Sequence, residues 1–384
     1  MRIPERWDIF CRVVDNFGDA GVCWRLARQL AHEYGLHVRL WIDDLAALGR
    51  LRPGLIDTPR QSLDGVDVSQ WTAEAAFEGT PAEVVIEGFG CGLPERYVEA
   101  MAARPRRPLW IVLEYLSAEP WVREHHGLPS PHPRYPLERY FFFPGFVEGT
   151  GGLLRERDLL SRRDAFGDAQ RDAFWRSVGH APAPHAATTV SVFCYESAPL
   201  GDLLAHWENA GPRIIAAIPE GRVLPAVLKH FGIASRPADG VLRRGALEAR
   251  ILPFVPQPRY DELLWSCDVN FVRGEDSFVR AQWAARPFAW HIYPQEALAH
   301  AQKLQAFLDL YCAGLPDSVA GAVRGLMGSW NQLGDGTVAP AAAWEAFAKH
   351  RDVLPRHAST WAERIAAIGD LADNLASFCL DKLK

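Results

Sequence analysis

No run of apolar residues in this 384-residue sequence reaches the length that a bilayer span needs, and Met1–Arg6 lacks the pattern of a signal peptide. The seven cysteines (Cys11, Cys23, Cys91, Cys194, Cys267, Cys312 and Cys379) are scattered, odd in number and without paired spacing. That usage points to reduced, mostly buried thiols and to the cytoplasm as the expected location, with no membrane partner. Glycine is missing where a dinucleotide fingerprint would put it. No G-x-G-x-x-G follows the first hydrophobic strand, which counts against a nicotinamide or flavin domain. Neither a Walker A run nor a G-x-S-x-G elbow is present. His125, His126 and His132 lack metal-ligand spacing and read as a Pro-rich surface loop. A net charge of −6 predicts no direct nucleic-acid binding, although it suits a cationic partner. No sequence repeat relates the two halves.

What is present has the composition of an ordinary globular protein, 48% hydrophobic and 23% charged, with length enough for two domains. Strands and helices alternate. Trp7–Val14 reads as a first strand, and from Ala20 onward Val22, Leu26 and Leu30 recur at helical spacing. Val38–Ile42, Val84–Ile86, Leu109–Leu113 and Tyr140–Phe143 read as further strands. Pro94–Ala103 and the charged stretch Arg155–Val178 read as helical, and Trp121–Pro136 as a long loop. The second half restarts with strands at Thr189–Phe193, Arg213–Ile218, Arg250–Phe254, Val269–Val272 and Phe288–Ile292. Helices fill the rest, the last running from about Ser359 to Lys384. Such alternation predicts an α/β fold with parallel sheets and right-handed crossovers. The expected domains are 1–179, a linker at 180–187 (His180-Ala-Pro-Ala-Pro-His185), 188–358, and a terminal helix 359–384 able to pack back on the first domain.

Two stretches sit where a strand hands over to a helix, the place where open α/β sheets bind ligands. The first carries Asp15 and Asp19 on either side of Asn16-Phe17-Gly18. Read locally, Asp19 is a helix N-cap and Asp15 an Asx-turn residue. A helix start favours an ionised carboxylate, which makes a weaker base but a good acceptor of bonds from a cation. The second stretch is Arg273-Gly274-Glu275-Asp276-Ser277. A hydroxyl and free N–H groups at a helix start suit a diphosphate. The acids fit only if they bind ribose or sugar hydroxyls, and a plain capped helix is the rival reading. Pro253–Tyr260 offers two aromatics and an amide that could stack on a base and read its edge, or simply pack as a stiff loop. His291–Gln295 is a similar strand end. Asp43-Asp44 reads as an ordinary acidic turn.

Longer runs carry a resemblance. Val14–Arg28, Trp41–Asp44, Glu114–Glu119, Gly151–Asp158, Arg273–Ser277 and Ile292–Glu296 resemble the bacterial EarP family of protein-arginine rhamnosyltransferases, over essentially the whole chain. The resemblance implies a GT-B fold, with two Rossmann-like domains facing each other across a cleft. It implies an inverting transfer of L-rhamnose from dTDP-β-L-rhamnose to an arginine of translation elongation factor P, with no cofactor and no metal. On the family pattern Asp19 is the general base, Asp15 supports it at the acceptor guanidinium, and Glu275 is a further catalytic acid of open role. Arg273, Asp276 and Ser277 belong to the donor site, Ser277 at the diphosphate. Phe193, Tyr195, Phe254, Gln257 and Tyr260 surround the nucleotide and sugar, with Tyr293 and Gln295 as weaker members. Where the family carries Phe, this sequence has Tyr260, which keeps the stacking face.

The chemistry suits these residue types. A guanidinium, with a pKa above about 12 and a delocalised lone pair, is a poor nucleophile. Two carboxylates can hold its planar fork by charge-assisted bonds, and positioning can supply several kcal/mol, about 7–11 at the upper end. Proton transfer is then expected late, as the C–N bond forms. The sequence leaves two rival readings. One is a GT-B transferase with another nucleotide sugar or a small-molecule acceptor. The other is a non-catalytic nucleotide-binding module that docks on a translation factor.

Overall fold

Trp7, Ile9, Phe10 and Cys11, all buried, build the first strand, β1 (Arg6–Cys11), of a computed structural model that describes residues 3–15, 17–56, 58–72, 77, 79–294, 299–333 and 338–383. The chain divides into two compact units, one of residues 1–157 with 365–384 and one of residues 158–364.

In the first unit β1 leads into α1 (Gly18–Tyr34), β2 (His37–Ile42), α2 (Leu45–Leu51), β3 (Arg60–Leu63), β4 (Val66–Gln70), β5 (Val84–Gly88), α3 (Glu95–Ala102), β6 (Leu109–Leu113), α4 (Trp121–His125), β7 (Pro129–Pro131) and β8 (Glu138–Phe142). Among the described residues the sheet order is β3-β4-β2-β1-β5-β6-β8-β7, with antiparallel strands β3 and β7 at the two edges. The interior strands are parallel, Ile9 lying beside Leu40 and Ile86. They are buried along most of their length, as near-continuous apolar runs require. Strand order reverses between β1 and β5, so the loops after Cys11 and Gly88 flank the crevice where ligands settle in such sheets.

The second unit opens with α5 (Leu159–Asp164) and α6 (Asp168–Ser177). It continues through β9 (Thr188–Val192), α7 (Leu200–Glu208), β10 (Ile214–Pro219), α8 (Leu224–Phe231), β11 (Val241–Arg244), β12 (Leu247–Leu252), α9 (Gln257–Trp265), β13 (Val269–Arg273), α10 (Asp276–Trp283) and β14 (Phe288–His291). Then come α11 (Ala299–Tyr311), α12 (Asp317–Trp330), α13 (Pro340–Ala348) and α14 (Leu354–Ala366). Among the described residues its sheet runs β11-β12-β10-β9-β13-β14, and here the order reverses between β9 and β13.

Several expected boundaries move. The 1–179 and 188–358 division with a linker at 180–187 gives way to a boundary at 157/158, because α5, α6 and the Pro-rich segment are tied to the second unit. Arg163 donates to the Trp283 carbonyl at 3.0 Å and Arg171 to that of Ser266 at 3.2 Å. His180 is buried against Ile251, and Arg250 donates to the Ala181 carbonyl at 2.6 Å. The single helix expected over 359–384 breaks at Gly369, whose φ is +93°. Asp370 then caps a new helix, α15 (Leu371–Lys382), accepting the N–H groups of Ala372 and Asp373 at 2.9 and 3.1 Å. α15 belongs to the first unit and lies against α1, where Gln29 reaches Asp370 at 3.1 Å. The loop expected over Trp121–Pro136 contains α4 and β7, and the helical stretch 155–178 is two helices. No helix among the described residues is long and apolar enough to cross a membrane.

Candidate active site

The first strand stops at Cys11, three residues earlier than its hydrophobic run suggests, because the chain turns to meet side chains from elsewhere. Asp43 accepts the Val13 N–H at 2.9 Å, and Asp44 caps α2 by accepting the Ala47 N–H at 2.9 Å. These two acids are therefore turn and cap residues. Asp19 lies inside the first turn of α1, 2% exposed. It does not cap the helix. Its Oδ2 reaches back to accept the N–H groups of Val14 at 2.7 Å and Asp15 at 2.9 Å, so the carboxylate grips the loop that precedes it. The N-cap position belongs to Phe17, which makes no side-chain cap bond. The other oxygen, Oδ1, receives the Tyr115 hydroxyl at 3.3 Å.

Asp15 is half-buried on the same turn, its carbonyl accepting the Gly18 N–H at 2.7 Å. A Cβ at Gly18 would stand 3.0 Å from Asp15 Oδ2, so glycine leaves room for that carboxylate. Both acids are thus brought to one loop, at the strand end where the sheet order reverses. Asn16 lies outside the described residues. Tyr115 was not singled out from the sequence, since nothing local links it to a residue 96 positions away. Its ring stacks on Phe89, centroids 4.4 Å apart.

The second turn is built the same way. Gly274 takes φ +59°, and α10 starts at Asp276 with Glu275 at the N-cap, again without a side-chain cap bond. The Ser277 hydroxyl accepts the Arg273 N–H at 3.1 Å and donates to the Arg273 carbonyl. Its first role is thus to close the turn. Asp276 is held from the side by Gln257, whose amide donates to Oδ2 at 3.0 Å, and Gln257 is itself buried. The buried Arg280 pairs with Asp261 through two bonds of 2.7 and 2.6 Å behind the turn.

Around this turn the aromatic residues converge. The Arg273 guanidinium lies 4.5 Å over the Phe193 ring and 4.6 Å over that of Tyr195, joining the ends of β13 and β9 where the sheet order reverses. Tyr260 meets Phe193 edge-on at 6.0 Å, and burial raises its hydroxyl pKa well above the ordinary value. Tyr293, exposed, meets Tyr195 edge-on at 5.6 Å. Phe254 is half-buried between β12 and α9. Gln295 lies outside the described residues. One further residue enters: His291 Nδ1 accepts the Tyr195 N–H at 3.2 Å. Burial, helped by Arg273 and His300, lowers the His291 pKa to about 4, so the ring is a neutral acceptor near pH 7.

Each turn thus has its own chemistry. The first offers two carboxylates on a fixed loop, suited to a cation. The second offers a helix start, an arginine lying over two rings and a cluster of aromatic side chains, suited to an aromatic base carrying an anion. All seven cysteines are buried and free. No group of three or more His, Cys, Asp and Glu side chains that could hold a metal occurs among the described residues.

The model of a family described as "Elongation-Factor P (EF-P) rhamnosyltransferase EarP" matches residues 7–380. A protein-arginine rhamnosyltransferase of Pseudomonas putida is 50% identical over 380 residues, covering 98% of this chain and 99% of that one. One of Pseudomonas aeruginosa is 47% identical with the same coverage. Among solved structures, one described as "Structural basis for EarP-mediated arginine glycosylation of translation elongation factor EF-P" superposes with a TM-score of 0.69 at 37% identity, covering 98% and 99% of the two chains. The calicheamicin glycosyltransferase CalG4, at 14% identity and a TM-score of 0.53 over 98% of each chain, shares the fold, which is GT-B.

Proposed function

The chain belongs to the EarP family and is a protein-arginine rhamnosyltransferase, and from that premise we propose that it transfers L-rhamnose from dTDP-β-L-rhamnose to one arginine of translation elongation factor P, with inversion and without metal. The observation that carries the residue assignment is the Asp19 carboxylate, buried, locked through one oxygen and offering the other.

In this reading Asp15 and Asp19 hold the acceptor guanidinium by charge-assisted bonds, which fix its plane and turn one nitrogen toward the sugar. That nitrogen's electron pair forms the new bond to C1 of rhamnose while the C1–O bond to the diphosphate breaks. The leaving oxygen keeps the bonding pair. The proton released from the nitrogen passes to Asp19 as the C–N bond forms, since prior removal from a guanidinium is too costly. Attack opposite the leaving group turns the β-linked donor into an α-linked product. Charge on departing dTDP is met by the N-terminal N–H groups of α10 and by Arg273. Thymine stacks among Phe193, Phe254 and Tyr260, with Gln257 and Asp276 fixing polar edges, and Tyr195, Tyr293 and Gln295 close by. Glu275 is a further acid of the reaction. A translation factor as acceptor places the reaction in the cytoplasm.

Intact-mass analysis of elongation factor P after incubation with this protein and dTDP-rhamnose tests the proposal. The expected result is one added deoxyhexose, lost when the acceptor arginine is replaced by lysine and insensitive to a chelator. Transfer from a UDP- or ADP-sugar in preference to dTDP-rhamnose would overturn the donor assignment.

A further inference from the structure

We propose that Tyr115, held in place by Phe89, is a positioning residue that aims the catalytic oxygen of Asp19 at the acceptor arginine. This rests on the assignment of Asp19 as base. Oδ2 is committed to two backbone N–H groups, so Oδ1 is the oxygen left for a proton, and that is the oxygen the Tyr115 hydroxyl meets at 3.3 Å. A hydroxyl–carboxylate bond is ordinarily about 2.5–3.0 Å. The longer separation steers Oδ1 without saturating it, and such bonds tighten when substrate arrives.

The strand-end loop Gly88-Phe89-Gly90 is tied to the neighbouring strand, the Phe89 N–H donating to the Leu113 carbonyl at 2.6 Å. Phe89 adopts φ +57°, rare for a residue with a side chain, and Gly90 follows at +60°. A Cβ at Gly88 would stand 2.8 Å from the Phe10 carbonyl oxygen and 3.0 Å from Cys23 Sγ, so the strand end is pressed onto β1. Backbone strain of this kind costs roughly 1–3 kcal/mol and persists where surrounding structure enforces it. Here it delivers a half-buried ring that stacks on Tyr115 at 4.4 Å, 17° from parallel. The two rings come from adjacent strands, β5 and β6, beside the place where the strand order reverses. A tyrosine braced in this way keeps its hydroxyl at one point above the turn.

The test is a double-mutant cycle on the full chain, with kcat and both KM values measured against dTDP-rhamnose and elongation factor P. Tyr115→Phe keeps the stacking and removes the hydroxyl. We expect kcat to fall about 10- to 100-fold with both KM values unchanged. Phe89→Gly suits the left-handed backbone, removes the brace, and should give a similar loss of kcat without loss of folding. In an Asp19→Asn background, assayed over long incubations, Tyr115→Phe should cost nothing more, since its effect passes through Asp19. Wild-type kcat in Tyr115→Phe, or an equal loss in both backgrounds, would overturn the positioning role while leaving Asp19 as base. Full activity in Asp19→Asn alone would overturn the base assignment itself, and this inference with it.

Discussion

The two strand–turn–helix sites use one lock made of different chemistry. In the first unit the Asp19 side chain accepts the N–H of Asp15, four residues back, and in the second the Ser277 side chain accepts the N–H of Arg273, also four residues back. A carboxylate that closes a turn with one oxygen still has a charged oxygen to spare. A hydroxyl that both accepts from and donates to Arg273 has spent its proton and adds no charge. The first turn is therefore left anionic and fit to meet a guanidinium, whereas the second stays neutral at its lock and tolerates an anion at the helix start. The same side-chain lock, four residues back, thus leaves opposite charge preferences at the two turns.

The sharpest way to break this comparison is Asp19→Asn. Asparagine keeps an oxygen for the Val14 and Asp15 N–H groups, so the turn should survive while transfer falls about 10²- to 10⁴-fold. Donor affinity, measured calorimetrically with dTDP, should stay as in the wild type. A variant that lost both would show that the acid serves folding alone. Next in size, Gln257→Ala frees Asp276 Oδ2 from its amide partner and should weaken dTDP by about 1–3 kcal/mol, with acceptor KM unchanged.

His291 gives a pH-dependent contrast confined to the second site. Its folded pKa of about 4 lies below the unfolded value near 6.5, so the unfolded chain binds more protons between those values. The stability contributed by the neutral ring is complete above about pH 6.5 and is lost as pH falls toward about 4. Between pH 7.5 and 5.5 the loss should be on the order of 1 kcal/mol. His291→Gln should flatten that part of the pH–stability curve, and an unchanged slope would count against the assignment. A modest effect is expected from Ser277→Ala, which removes both turn bonds to Arg273, each worth about 0.5–1.5 kcal/mol, and should lower the thermal midpoint alongside weaker dTDP binding.

Much of this architecture was legible in the sequence because buried parallel strands are short runs rich in β-branched and aromatic residues and bounded by turn signals, as at Leu109–Leu113 and Val269–Val272. Edge strands were not. Arg60–Leu63 and Val241–Arg244 carry polar residues on a half-solvated ribbon and leave no periodic signal. The break between α14 and α15 did have one, a glycine followed by a capping aspartate at Gly369-Asp370, which helical periodicity on either side obscured. The domain boundary was misplaced because a Pro-rich segment looks like a linker whether or not arginines elsewhere tie it down, as Arg250 does here.

For the active site the division has a physical cause. Sequence alone placed Asp15, Asp19 and the Arg273–Ser277 run at strand ends, since residue type and hydrophobic periodicity are local properties. Full-length similarity tied them to one family. It could not say what each side chain grips, because a carboxylate at a helix start has several N–H groups in reach and only the closed loop selects among them. Tertiary structure turned Asp19 from a helix cap into the clamp of its own turn, and brought Tyr115, stacked on Phe89 from the neighbouring strand end, to its other oxygen. Those contacts depend on strand order, which no short stretch of sequence encodes.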